Sequence, residues 1–152
     1  MRKRCKRKIW GKVNTIEYAI TGAAVTAENK LDLLRMSELS AIESMVKGNG
    51  TVGDWKVLVD MLNIAETMGS NGIGIEVLEV CKVVQKEMEA AAKRYETTRK
   101  MGFTGTGIRY IKELYALHDL QRQSISRAEY ERMIEKTCNY LRSNNHRVVH
   151  IV

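Results

Sequence analysis

The sequence predicts an all-α protein, a single compact domain of five to six helices with one long central helix and a basic N-terminal arm. The chain has 152 residues and no proline, and eleven glycines provide the breaks between segments. Apolar residues recur at intervals of three and four, which is the spacing of one helix face. A domain of this length buries roughly 70% of the surface of its unfolded chain. A hydrophobic core can therefore stabilise it without disulfides.

The positive charge of the chain is concentrated at its N-terminus. The chain carries 25 Lys and Arg against 18 Asp and Glu, and residues 1–12 hold seven of these cations and no acid. The remaining residues carry 18 charges of each sign and are formally neutral. We therefore divide the chain into an N-terminal arm (1–14), a helical domain (15–142) and a C-terminal tail (143–152).

The first part of the helical domain contains one clear helix. Residues 16–25 are small and apolar, and they predict either a short helix or an extended lead-in. Asn29, with Asp32 three residues later, resembles a capping pair, and the apolar positions that follow predict a helix over 30–47. The sequence GNG at 48–50 ends this helix.

A second helix is predicted to begin after Thr51 and to end at Gly69. The Thr51 hydroxyl can cap the first amides, and Asp54 favours the positive end of the helix dipole. The apolar residues of this segment step by three and four, so they form one buried face: Trp55, Leu58, Leu62 and Ala65.

The longest helix is predicted over 75–100, about 26 residues and roughly 39 Å at 1.5 Å per residue. It carries apolar residues at heptad-like spacing, which we call the heptad row: Val77, Cys81, Val84, Met88, Ala91 and Tyr95. Such a row is typical either of a central core helix or of one half of a homodimer interface. Core packing is the favoured interpretation, because three heptads are fewer than a coiled coil needs and Cys and Ala make a weak interface.

Two further helices complete the predicted domain. After the glycine-rich stretch 102–107, one helix carries apolar residues together with a histidine: Ile108, Ile111, Leu114, Tyr115 and His118. Ser126 and Glu129 form an S-x-x-E capping box that opens the last helix. One side of that helix is predicted to consist of Tyr130, Ile134, Cys138 and Leu141.

The eight methionines of the chain have two interpretations. Methionine is flexible and polarisable, so it fills irregular gaps in cores, and it is also frequent on adaptable binding surfaces. Most of the eight fall on faces of the predicted helices, among them Met36, Met45, Met61, Met68 and Met88. We expect these side chains to fill the core.

No motif in the sequence predicts catalysis, and we expect neither a catalytic residue nor a cofactor. Gly105 and Gly107 precede a helix, but a dinucleotide-binding loop follows a strand and needs a third glycine where Tyr110 stands. His118 ends an apolar stripe and has no nucleophile positioned near it in the sequence. We therefore expect His118 to be packed or to cap a helix rather than to act as a base.

The histidines and cysteines predict neither a metal site nor disulfides. His146 and His150, with Cys138 upstream, lack the fourth ligand that a structural zinc site needs. Cys5, Cys81 and Cys138 are odd in number and far apart, as is typical of reduced thiols in a cytoplasmic protein. No apolar run approaches the roughly 18–20 residues that cross a bilayer, and no apolar stretch follows the basic start as in an export signal. We expect a cytoplasmic protein that does not contact a membrane.

The N-terminal arm is the one segment whose composition predicts a ligand. Its cations and its tryptophan can neutralise phosphates and stack on a base, as arginine-rich RNA-binding segments do. The candidate nucleic-acid-binding residues are Arg2, Lys3, Arg4, Lys6, Arg7, Lys8, Trp10 and Lys12. A solvated tail without a partner is the equal alternative, and the arm is too short to confer sequence specificity by itself.

Four stretches of the chain carry a resemblance: LRMSELSAIESM, DWKVLVDMLNIAETM, GIGIEVLEV and LYALHDLQRQSISRAEYERMIEKT. Together they are similar to a group of small uncharacterised proteins encoded by phages and prophages of proteobacteria. The likeness spans most of the chain, from the basic start KRKIW to the last helix, and it assigns no functional residue. It implies a small accessory protein of a bacterial virus that works in the cytoplasm of the host.

Two functional hypotheses follow from these observations. The leading one is a non-enzymatic accessory protein that binds and modulates, typically by inhibition, a host protein or nucleoprotein complex through its helical surface. The alternative is a nucleic-acid-binding regulator that uses the N-terminal arm.

Overall fold

The structure is a computed structural model that describes the backbone of residues 23–144 and the side chains of residues 30–143. The described residues form five helices and no strand, which confirms the all-α prediction. The helices are α1 (Ala23–Val46), α2 (Val52–Ser70), α3 (Val77–Thr98), α4 (Gly105–Ser124) and α5 (Arg127–Asn144). The N-terminal arm and residues 145–152 lie outside the described residues.

Helix α2 is central and packs against each of the other four helices. The hydrophobic core is built by α1, α2, α3, α4 and Met101, from the loop between α3 and α4. Trp55 is the largest buried side chain, and its indole Nε1 donates to the backbone oxygen of Met88 at 3.1 Å. This bond ties α2 to α3 and leaves no buried polar atom of the indole unpaired.

The first helix begins earlier than the sequence predicts. It starts at Ala23 rather than near Lys30, so Asn29 lies inside the helix and does not cap it. Asp32 is bound instead to Arg35 on the next turn, at 3.1 Å. The helix extends N-terminal to the predicted capping pair because the residues before Asn29 include three alanines, the best helix formers, and no helix breaker after Gly22.

The start of α2 agrees with the sequence. Thr51 Oγ1 accepts the amide of Asp54 at 3.1 Å, and the Thr51 amide donates to Asp54 Oδ2 at 2.8 Å. These two bonds form a reciprocal capping box, which satisfies two amides that the helix itself leaves unpaired. The four predicted core residues of this helix are all buried: Trp55, Leu58, Leu62 and Ala65.

Helix α3 has 22 residues, so the predicted span 75–100 is too long at both ends. Gly72 and Gly74 have positive φ angles of 86° and 63°, and they form the turn that delays its start. Arg99 ends the helix in the left-handed conformation, with φ 56°, and its amide donates to the oxygen of Tyr95 at 2.9 Å. An arginine at position 99 does not indicate a helix end in the sequence, because glycine is the usual residue in this left-handed conformation.

We expect Arg99→Gly to stabilise the protein by about 0.5–1 kcal/mol, because glycine adopts a positive φ angle without the steric cost that other residues carry. The guanidinium of Arg99 lies 5.7 Å from the centre of the Tyr95 ring, an exposed contact whose loss offsets part of the gain. Arg99→Ala is the matched control, since it loses the same contact and keeps the unfavourable φ angle. Urea unfolding should rank the glycine variant above the alanine variant, and the reverse order would contradict the argument.

The glycine-rich stretch 102–107 contains the end of the loop between α3 and α4 and the first residues of α4. The Gly50 amide donates to the oxygen of Met101 at 3.1 Å, which joins the loop before α2 to the loop before α4. A Cβ atom on Gly102 would lie 2.9 Å from the Cα atom of Gly48, so this close approach requires glycine. Thr104 then caps α4 by accepting the amide of Gly107 at 3.2 Å.

Helix α5 begins as predicted, but one residue of its predicted apolar side is wrong. Ser126 Oγ accepts the amide of Glu129 at 3.2 Å, and Tyr130 is buried. Cys138 is exposed, whereas Thr137 is buried in its place. The side of α5 that packs on the protein therefore includes Thr137 rather than Cys138. The Thr137 hydroxyl can be buried there because it donates to the backbone oxygen of Met133 at 2.8 Å.

Candidate functional site

The residues that the sequence singled out lie in three different places. The candidate nucleic-acid-binding residues of the N-terminal arm lie outside the described residues, as do His146 and His150. Five members of the heptad row are buried in the core, and Tyr95 packs against it half-buried. Their side chains therefore pack within one chain, which favours the core interpretation of the row. His118 is fully buried in α4.

His118 belongs to a group of buried polar side chains that the sequence did not predict. We call this group the polar cluster; its members are Glu38, His118, Gln121, Arg122 and Tyr130. The cluster joins α1, α4 and α5, and Gln121 extends it to α2. Every buried side-chain nitrogen and oxygen in the described part of the chain has a hydrogen-bond partner, so the cluster is fully satisfied.

The strongest contact in the polar cluster is a bidentate ion pair between α1 and α4. Arg122 Nη1 donates to Glu38 Oε1 at 2.9 Å, and Arg122 Nη2 donates to Glu38 Oε2 at 2.8 Å. Burial by itself would lower the pKa of Arg122, but the hydrogen bonds and charge of Glu38 outweigh it and hold that pKa above its ordinary value. Beside this pair, Arg35 Nε donates to Asp119 Oδ1 at 2.7 Å and joins the same two helices again.

The hydrogen bonds around Gln121 define the tautomer of His118. Gln121 Nε2 donates to the oxygen of Ala65 at 3.2 Å and to that of Ile73 at 2.6 Å, so its Oε1 is an acceptor. His118 Nδ1 lies 2.9 Å from that Oε1 and must carry the proton. His118 Nε2 is then an acceptor for the hydroxyl of Tyr130 at 3.3 Å. The imidazole is therefore neutral and held on both sides.

Protonation of His118 is unfavourable in this environment. Burial and, to a smaller degree, the nearby positive charge of Arg122 lower its pKa to about 4, although the bond to Gln121 and the charge of Asp119 act in the opposite direction. A general base for neutral pH needs a pKa near 7 and an atom that can reach a substrate. His118 offers neither, because both ring nitrogens are bound within the protein.

The polar cluster is closed to solvent, since none of its five members is more than 7% exposed. Its chemistry is therefore structural: it fixes α1 and α5 on α4. The described cysteines add no reactive group to it, because burial and the charge of Glu66 raise the pKa of Cys81 to about 12 and Cys138 lies on the surface. Among residues 30–143, no group of three or more His, Cys, Asp or Glu side chains could hold a metal ion.

The exposed side of α1 has a different character. Leu33 and Met36 are both 65% exposed, and Leu39 is 47% exposed. They follow one another at intervals of three residues, so they form one row along the helix surface. We call this row the α1 face. The prediction that Met36 fills the core is wrong, whereas Met45, Met61, Met68 and Met88 are buried as predicted.

A groove of about 410 Å³ between α1 and α4 lies next to the α1 face. Leu39 belongs to both, and the other apolar lining residues of the groove are Ile42, Val46 and Tyr115. Glu43 of α1 and Lys112 of α4 also line it, so the groove carries one charge of each sign. The centre of the Tyr115 ring lies 5.8 Å from the guanidinium carbon of Arg122, so the groove borders the polar cluster.

The remaining large apolar side chains exposed in the described part of the chain are scattered on other elements. They are Ile75 before α3, Leu120 on α4 and Tyr140 on α5. Single exposed apolar residues are normal for a soluble protein and require no explanation. Leu33, Met36 and Leu39 differ from these, because they lie in one row beside a groove.

Comparison with known protein families, curated proteins and solved structures gives no significant match for this chain. Among the described helices, none combines the length and the apolar character needed to span a membrane. The functional conclusion therefore depends on the geometry of this chain.

Proposed function

We propose that this protein is a non-catalytic accessory protein of phage origin that binds a host protein through the α1 face and inhibits or otherwise modulates it. The observation that carries the proposal is the exposed row of Leu33, Met36 and Leu39 beside the groove between α1 and α4. Large apolar side chains that cluster on a surface next to a groove are typical of protein–protein interaction sites.

The packing of α1 supports this assignment. The buried pair of Glu38 with Arg122 and the partly buried pair of Arg35 with Asp119 hold α1 on α4 at two neighbouring positions. The α1 face is thus carried by a helix whose orientation is fixed from its buried side. A partner meets a rigid surface, which reduces the conformational entropy lost on binding.

The closed polar cluster supports a non-catalytic role. It contains the buried titratable groups with the most strongly shifted pKa values apart from Cys81, and such groups often mark active sites. Here they are inaccessible, and their hydrogen bonds are used between helices. In the described residues, these groups are not accessible to a substrate, whereas the apolar α1 face is exposed.

A binding experiment with matched variants tests the proposal. Immobilised wild-type protein and three variants would be incubated with nuclease-treated lysate of the bacterial host, and bound proteins quantified by mass spectrometry. We expect Leu33→Ser and Met36→Ser each to reduce capture of the partner about tenfold or more, since a buried interface side chain of this size contributes roughly 1.5–3 kcal/mol. Leu120→Ser should capture the partner as the wild type does, because Leu120 is similarly exposed, at 60%, but lies on α4.

Equal capture by all four proteins, with folding of each confirmed by circular dichroism, would contradict the α1 face as the binding surface.

The second candidate function, nucleic-acid binding by the N-terminal arm, is favoured by the seven cations within residues 1–12. Deletion of residues 2–8 tests it separately. We expect salt-sensitive binding to DNA or RNA to be lost and the capture of the protein partner to be retained.

A further inference from the structure

The charged residues of α1 form a pattern that is complementary to itself. Asp32 precedes Leu39 by seven residues, and Lys47 follows it by eight. Arg35 precedes Leu39 by four residues, and Glu43 follows it by four. Positions at similar distances on the two sides of Leu39 thus carry opposite charges. Two such helices that lie side by side in opposite directions would place each acid next to a base of the other helix.

These charges are available at the surface of the chain. Asp32 forms an ion pair with Arg35 at 3.1 Å, and Glu43 forms one with Lys47 at 2.7 Å. The side chains of Asp32, Glu43 and Lys47 are largely exposed, so water screens these pairs and they contribute little by themselves. Lys47 follows the last residue of α1, and its amide still donates to the backbone oxygen of Glu43 at 3.0 Å. The helical spacing of the charges therefore extends to Lys47.

The apolar residues of the same surface have a matching arrangement. Leu33 and Met36 are exposed before Leu39, and Ile42 and Val46 line the groove after it. Met36 and Ile42 each lie three residues from Leu39, while Leu33 lies six residues before it and Val46 seven after it. In the opposed pairing, the two exposed side chains of one chain would therefore meet the groove of the other.

We propose that the α1 face pairs with a second copy of this chain about a two-fold axis at Leu39, with the two α1 helices antiparallel. A two-fold pairing uses the same surface of both chains, so Asp32 of each chain meets Lys47 of the other. The contact from residue 32 to residue 47 extends over roughly 22 Å of helix at 1.5 Å per residue. Parallel helices would place Asp32 against Asp32 and Lys47 against Lys47, and the repulsion of like charges disfavours that arrangement.

This pairing goes beyond the proposed host partner, because it requires only the chain itself. Burial of Leu33 and Met36 against the groove removes apolar surface from water, which favours association. The second copy and a host protein cover the same side chains, so they exclude each other. The host partner therefore binds the single chain, and self-association regulates how much of the α1 face is free.

Sedimentation equilibrium of the purified full chain tests the pairing, between about 10 and 500 μM because small interfaces give weak dimers. We expect the wild type to change from single chains to dimers across this range. Asp32→Lys and Lys47→Glu each bring like charges together at two sites of the dimer, so each should weaken it about tenfold. Lys82→Glu is the matched control, because Lys82 forms an exposed ion pair with Glu79 on α3. This variant should form dimers as the wild type does.

A mixture of Asp32→Lys with Lys47→Glu is the decisive measurement. In the mixed dimer both contacts between positions 32 and 47 again join opposite charges. We expect the mixture to form dimers about as readily as the wild type, and this recovery would also show that both variants are folded.

A wild type that stays a single chain at the highest concentration would overturn the proposal. Dimers that resist both charge variants, or variants that do not recover on mixing, would overturn the antiparallel pairing. None of these results decides the host partner, which the capture experiment with Leu33→Ser and Met36→Ser tests separately.

Discussion

Replacing Arg122 by methionine is expected to lower the free energy of unfolding by about 3–5 kcal/mol. The substitution keeps most of the volume of the side chain but leaves the Glu38 carboxylate, 2% exposed, without its partner. A buried charge that loses its hydrogen-bonded counter-charge carries most of its desolvation cost. Chemical unfolding monitored by tryptophan fluorescence and by circular dichroism would measure the loss.

The double variant with Glu38→Met and Arg122→Met is the decisive control. It removes both charges, so we expect it to be more stable than Arg122→Met and to approach the wild type. Lys82→Met provides the surface comparison, because Lys82 pairs with Glu79 at 2.8 Å with both side chains largely exposed. That change should alter stability by less than about 0.5 kcal/mol. If the double variant were no more stable than Arg122→Met, the pair would not be the source of the effect.

Acidification is expected to remove about 3 kcal/mol of stability through His118 alone by pH 4. The pKa of His118 is lowered from 6.5 to about 4 on folding. The unfolded state therefore binds a proton more readily than the folded state, and the contribution of His118 is fully present above pH 6.5. It is lost progressively as the pH falls from 6.5 towards 4.

The variant His118→Gln isolates this contribution. Glutamine does not titrate, and its side-chain amide can still form a hydrogen bond with the Tyr130 hydroxyl. The carboxylates titrate in both proteins, so their contributions cancel in the difference between the two unfolding free energies. Unfolding free energies of both proteins at pH 7, 5.5 and 4 should show the wild type losing stability faster with acid. Parallel curves for the two proteins would mean that His118 is not buried as a neutral group.

Local sequence signals predicted the parts of the fold that depend on neighbours in sequence. The Thr51 and Asp54 capping box and the buried spacing of Trp55, Leu58 and Leu62 are of this kind. The predicted start of α1 and both predicted ends of α3 were wrong, and each error has a physical reason. Capping residues such as Asn29 are optional when the residues before them favour helix, and Arg99 adopts a conformation that its side chain does not indicate.

The polar cluster could not be predicted in full, because Glu38 and Arg122 are 84 residues apart in the sequence. A partial indication was present. Glu38 interrupts the apolar spacing of its helix between Leu34 and Ile42, and Arg122 follows His118 at the same spacing in α4. Two interruptions of opposite charge on two buried faces indicate a buried pair, although only the fold shows that they meet.

The α1 face was missed because periodicity shows that a residue is apolar but not which side of a helix is covered. Met36 and Met45 have the same side chain, yet one is 65% exposed and the other fully buried. The difference arises from which side of α1 meets α2 and α4. An exposed apolar row is therefore a property of the tertiary structure, and it is the property from which we infer a protein partner.

Site-specific photo-crosslinking in host cells tests this central claim most directly. A photoreactive amino acid would replace Met36 in one protein and Leu120 in a second, since both side chains are well exposed and lie on different helices. We predict that the probe at position 36 forms one defined adduct with a host protein, resistant to nuclease and retained after deletion of residues 2–8, and that the probe at position 120 forms none. No adduct at position 36, or the same adducts at both positions, would contradict the proposal that the α1 face binds a protein partner.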